Sequence, residues 1–113
     1  MGRLDLAKEI ERFISRNIRE RTGKGPRLIK ATVYKDSIKI EVYGFLTHME
    51  NHYIKVAGAD ALGLVRETRL KMLQPSKAHI GAALSNIVGA AVRLTEIDLD
   101  IENDSGFVRL KIE

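Results

Sequence analysis

Four cations at helical spacing are the feature most suggestive of chemistry. Lys8, Arg12, Arg16 and Arg19 fall within one narrow arc at about 100° per residue, opposite Ile10 and Ile14. Arg21, Lys24, Arg27 and Lys30 continue the positive run past the helix. A row of guanidinium and ammonium groups suits phosphates, anionic headgroups or an acidic protein surface. The plainer alternative is a solvated helix face, partly paired with Glu9, Glu11 and Glu20. No aromatic RNP-type motif accompanies the row, and no helix-turn-helix geometry is evident.

Other constellations point away from catalysis. His48 and His52, at i and i+4, share a helix face, but their segment reads His-Met-Glu-Asn-His. Zinc peptidases need His-Glu-x-x-His, and a zinc site needs three or four ligands. The only other histidine, His79, falls on a different helix, so no metal site is expected. Gly23-Lys24-Gly25-Pro26 follows a helix and precedes a strand, the reverse of a phosphate-cradling loop. Gly58 to Gly63 has P-loop spacing without the following Lys-Ser/Thr. Asp98, Asp100 and Glu102 alternate along a strand, a pattern that suits a divalent cation, yet Arg109 and Lys111 offer simpler neutralisation from the next strand. Ser105-Gly106 reads as a turn, since Gly-x-Ser-x-Gly is absent. There is no Cys, which excludes disulfides, thiolate metal sites and a Cys nucleophile. The expectation is no catalytic residue and no cofactor.

The elements that must position these groups follow from periodicity. With 113 residues, 44% hydrophobic and 30% charged, the chain reads as one soluble globular domain over residues 1–113. Residues 5–21 form an amphipathic helix on Leu6, Ile10, Phe13, Ile14, Asn17 and Ile18, closed by Gly23 and Pro26. Residues 27–34 and 38–43 alternate apolar and polar and make a hairpin across Lys35-Asp36-Ser37. Thr47 and Glu50 match a capping box opening a helix to about Val56, with a break or bend at Gly58. A continuation from Asp60 to Leu73 stops at Pro75, and Ser76 caps a last, Ala/Gly-rich helix from Lys77 to about Val88, whose small residues pack on the sheet or across a dimer interface. Residues 94–102 and 108–112 alternate again around the turn Asn103-Asp104-Ser105-Gly106. With the bent central segment counted as one helix, the order is α-β-β-α-α-β-β. The fold class is α+β: a two-layer sandwich whose four-stranded, mainly antiparallel sheet is covered on one face by helices.

Four motifs in order carry a resemblance. They are Gly23-Lys24-Gly25-Pro26 after the first helix, Gly44-Phe45-Leu46-Thr47 with Glu50, Leu64-Val65 followed by Arg69, and Asp100-Ile101 before a turn ending in Gly106. Together they resemble the MpsC-like family over about residues 5–113. That family consists of small soluble proteins. It is named for the third component of a sodium-translocating, membrane-potential-generating system whose other components are integral membrane proteins. The resemblance implies an accessory role and brings no catalytic residues. The chain departs from the family's pattern in its Ala/Gly-rich last helix, where charge is usual, and in His48-Met49, where a Pro-Ala-like pair is common.

Net charge is +4, with 11 basic and 5 acidic residues in 1–40 against 8 and 10 in 41–113, so an anionic partner would meet the first third of the chain. Three readings follow. The first is an accessory protein of a cation-translocating membrane system, docking on a membrane-protein partner through Lys8, Arg12, Arg16, Arg19 and Lys24. The second is a nucleic-acid-associated regulator using the same face. The third is a small-molecule sensor with a pocket between sheet and helices. The open edges of a four-stranded sheet predict a homodimer. The opening MGRLDLAKEIERF lacks the apolar run of a signal peptide and no stretch suits a bilayer, so a cytoplasmic location is expected, peripheral to the inner face of the membrane and without insertion.

Overall fold

The computed structural model describes residues 2–113; Met1, the first residue of the expected domain, lies outside them. Helix α1 (Arg3–Thr22) buries Ala7 and Ile10, with Leu6, Phe13, Ile14 and Ile18 packed beside them, and Gly23 closes it in the left-handed conformation. Strands β1 (Leu28–Val33) and β2 (Ser37–Tyr43) form the first hairpin. Helix α2 (His48–Ala57) opens on the Thr47/Glu50 capping box in full, each side chain bonded to the other residue's backbone N–H. Gly58, at φ 68 and ψ −137, breaks the central helix, and α3 (Ala59–Leu73) begins beyond it.

The end of α3 differs from the sequence expectation. Pro75 sits within a 3-10 turn, Gln74–Ser76, that runs straight into α4 (Lys77–Val88). Ser76 is in helical conformation and caps nothing. Its buried hydroxyl instead receives a hydrogen bond from the Arg21 guanidinium of α1. A tertiary donor thus takes the oxygen that local spacing assigns to a cap.

The sheet is wholly antiparallel, in the order β1-β2-β4-β3, with β3 at Val92–Asp100 and β4 at Ser105–Ile112. Ile29, Ala31 and Val33 pair with Val42, Ile40 and Ile38, which pair on with Gly106, Val108 and Leu110. All lie on the helix-facing side, and Ile38, Ile40 and Leu110 are fully buried beside Ile10, Leu46 and Leu84. β3 begins earlier than its alternation suggests. A bulge at Thr95 lets both Leu94 and Ile97 face the core despite their odd spacing. Ile101 and Glu102 fall in the turn rather than the strand.

β1 and β3 are the two open edges that the sequence suggests, each occupied in part by side chains. On β1 the outward Ala31 N–H donates to the Glu11 carboxylate at 2.8 Å. On β3 the Val92 N–H donates to the Ser85 hydroxyl at 2.9 Å, the Leu99 carbonyl accepts from Arg66 at 3.2 Å, and the bulge intervenes. Side chains and a bulge that occupy edge groups discourage strand addition.

Helices cover one face unevenly. α1 lies across β1 and α4 against β3, where a Cβ on Gly81 would make only an ordinary contact with the Val92 carbonyl, at 3.6 Å. α2 packs on α3 and buries no residue of its own. The molecule is elongated, 46 × 22 × 21 Å, with a radius of gyration of 14.4 Å against about 13 Å for a compact chain of this length.

Gly106 of β4 lies tightly against β3. A Cβ there would meet Leu99 Cδ2 at 2.8 Å and the Asp98 carbonyl oxygen at 3.0 Å. Gly106→Ala is therefore expected to lower stability by about 1–3 kcal/mol, as overpacked sites do. A urea titration followed by circular dichroism would show it as a lower midpoint with an unchanged slope.

Candidate functional site

Two groups of side chains are candidates, and they differ in how fully their charges are engaged. The first surrounds residues 44–47, where the chain leaves β2. Gly44 has φ 66, and a Cβ on it would lie 2.6 Å from Arg27 Cβ, so only glycine fits. Phe45 and Leu46 are buried. Their N–H groups both donate to Asp104 Oδ1, at 2.9 and 3.0 Å, from the β3–β4 turn. The Leu46 carbonyl accepts from Lys24 Nζ at 2.8 Å, and the Phe45 carbonyl from Arg69 at 3.2 Å. The Arg69 guanidinium also grips Glu50 through both carboxylate oxygens, at 2.8 and 2.5 Å, and lies 5.1 Å from the centre of the Phe45 ring.

Burial alone would push the Glu50 carboxyl up, but the Arg69 hydrogen bonds, the Thr47 N–H, the Arg69 charge and the Thr47 hydroxyl outweigh it and hold it below its ordinary value. Glu50 is thus a firmly ionised carboxylate with every near neighbour donating to it. That is the chemistry of a brace. Among the described residues no buried side-chain polar atom lacks a hydrogen-bond partner.

The second group is the basic face of α1. Lys8, Arg12, Arg16 and Arg19 are all exposed, and none makes an ion pair or side-chain hydrogen bond among the described residues. The compensation that the sequence suggested from Glu9, Glu11 and Glu20 is not made, and Glu11 is turned to the edge of β1. Asp5 shares the arc one turn away. Lys24, grouped with this face from sequence, is drawn to the Leu46 carbonyl instead.

The remaining candidates scatter. His48, His52 and His79 are exposed, and among the described residues no three His, Cys, Asp or Glu side chains converge on a metal position. The acidic strand is neutralised differently from the expectation. Asp98 pairs with Arg66 of α3 at 3.4 Å, and Asp100 receives the backbone and side-chain amides of Asn103 at 3.3 and 2.7 Å. The register set by the Thr95 bulge explains this, because it puts Phe107 opposite Asp98 and Ser105 opposite Asp100, while Arg109 faces Glu96.

The family model described as "Na+-translocating membrane potential-generating system (MpsC)" matches residues 3–111. The chain belongs to the MpsC family. No curated protein and no solved structure matches it. In this MpsC chain the motif positions meet in space. Gly44, Leu46 and Thr47 form one loop, which Arg69 and Lys24 of the Gly23–Pro26 connection bond from two sides. Asp100 bonds Asn103 in the turn that delivers Asp104 to it, and Gly106 lies beyond, paired with Val42. A Cβ at Gly25 would make only ordinary contacts, so nothing in the packing requires glycine there.

The sheet–helix pocket expected from the sequence has walls that no local pattern locates. A cleft of about 150 Å³ opens between the sheet's inner face and the helices, lined by Ile14, Ile18, Leu73, Ile80, Leu94 and Ile97 among others, with Lys77 also in its lining. Its signal was the surplus of apolar positions on β3 and α4 over helix surface able to cover them.

The brace gives a sign for pH dependence. A depressed carboxyl pKa contributes stability that is complete above the ordinary carboxyl value and lost as pH falls through the depressed one. Glu50→Gln is expected to cost roughly 1–3 kcal/mol at neutral pH, the scale of hydrogen bonds to charged groups. Between about pH 5 and about pH 3 the native chain should lose more stability than Glu50→Gln. Parallel urea midpoints across that range would show that the pair contributes nothing.

Proposed function

We propose that this MpsC protein is a non-enzymatic accessory component of a sodium-translocating membrane system, docking through Lys8, Arg12, Arg16 and Arg19 on an acidic surface of a membrane-embedded partner. The observation that carries the reading is the uncompensated row of four exposed cations on α1. The opposite side of that helix is fixed in the core by Ala7 and Ile10 and tied to β1 through Glu11, so the charges are presented on a rigid support. Preorganised charges of one sign raise association rates and select partners of the opposite sign.

The family description supplies the system. Among the described residues no helix is long and apolar enough to cross a membrane, so the proposed role is attachment from the side of the membrane. The proposed place is the cytoplasmic face, where anionic lipids reinforce attraction of basic surfaces. The sodium path would belong to the partner.

Affinity capture with the native chain and with an Arg12→Glu/Arg16→Glu/Arg19→Glu variant, read by mass spectrometry, tests the proposal. A membrane transporter subunit should come down with the native chain and fall at least about tenfold with the variant, and added salt should weaken the capture. Recovery of nucleic acid with steep salt dependence would transfer the basic face to the second reading.

A further inference from the structure

The helical layer leaves apolar surface uncovered in two places that complement each other. On α2, Met49, Tyr53 and Val56 stand at i, i+4 and i+7 on one face, and they are 79%, 40% and 72% exposed. Leu64 and Met72 of α3 are each half exposed. The pair α2–α3 joins the core through Val65, with Ile54 and Leu62 packed against it, and leaves the stripe of α2 facing outward. The second place is the cleft. Its inner-face residues Leu94, Ile97, Leu99 and Val108 are only half-buried, although they point toward the helical layer of a sheet covered on that side.

The amount of exposed surface agrees. A folded chain of this mass exposes about 6,200 Å², whereas this one exposes 7051 Å². The excess of about 850 Å² is close to the roughly 800 Å² that one partner of a standard protein interface buries. Met and Tyr are also suited to such a surface, one by conformational adaptability and the other by amphipathic area.

We propose that a second copy of this chain covers both places, in a two-fold dimer in which the α2 stripe of each protomer seats against the open cleft of the other. An apolar arm and an apolar cleft on one molecule are satisfied twice by one symmetric contact, the isologous arrangement of most dimers. Pairing through the sheet would have to displace Glu11 from the Ala31 N–H on β1, or Ser85 and Arg66 and the Thr95 bulge on β3. The contact leaves the α1 cations outside it, so the dimer presents two basic faces. The inference stands independently of the docking role proposed above.

Sedimentation of the native chain at micromolar concentration should give twice the 12.7 kDa chain mass. Met49→Glu/Val56→Glu, at two exposed positions, should give the mass of one chain with an unchanged far-ultraviolet circular dichroism spectrum. A photo-crosslinker at position 56 of the otherwise native chain should link to cleft residues such as Leu73 or Ile80 of the other copy. A native chain sedimenting as a single copy would overturn the inference. So would a variant that stays dimeric, or crosslinks confined to the other copy's α2. A single-copy chain whose cleft takes up a long-chain carboxylate would assign the cleft to a small ligand instead.

Discussion

The guanidinium of Arg69 stands where the chain has the least freedom to fail. Beyond β2, Phe45 and Leu46 enter the core with their peptide groups, and each unpartnered buried amide or carbonyl would cost about 1–3 kcal/mol. Arg69 takes the Phe45 carbonyl, stacks on the Phe45 ring and neutralises Glu50, which in turn caps α2. Asp104 and Lys24 take the remaining groups of the loop from the β3–β4 turn and from the α1–β1 connection. Four segments remote in sequence are thereby fixed to one another through a few charged hydrogen bonds.

From that junction the division of the molecule follows. One part is the sheet with α1 and α4 laid on it around Ile10, Ile40, Leu84 and Leu110, open along the cleft between them. The other is the α2–α3 arm, rigidly rooted at Arg69 and Glu50 yet lightly packed beyond them. A rooted arm with an apolar stripe is a different object from a floppy one. It can present Met49, Tyr53 and Val56 to a surface without first losing much conformational entropy. The cations of α1 are presented on an equally fixed support, at a different part of the surface.

Much of the fold was legible because its determinants are local. Alternation placed both hairpins, and Thr47 with Glu50 announced the start of α2 to the residue. What escaped the sequence depends on distant partners. The Thr95 bulge is set by the need of both Leu94 and Ile97 to face the core, which simple alternation denies. Ser76 looks like a cap until Arg21 takes its hydroxyl. Arg66 reaches Asp98 across 32 residues of chain, and no spacing rule joins them. The basic face was legible residue by residue through helical periodicity, apart from Lys24, whose ammonium is claimed by a carbonyl 22 residues away. The cleft was only foreshadowed, because coverage of a sheet is a property of packed layers and not of any one strand.

The bond from Ala31 N–H to Glu11 links two properties that would otherwise vary separately. The carboxylate that closes the β1 edge is the same one withdrawn from the charge balance of α1. Neutralising Glu11 would raise the helix's positive potential and at the same moment uncover a strand edge able to recruit other chains. Colloidal behaviour and electrostatic reach are therefore coupled through a single side chain. Any drift toward a more strongly basic helix at that position carries with it a tendency to self-association through β-structure.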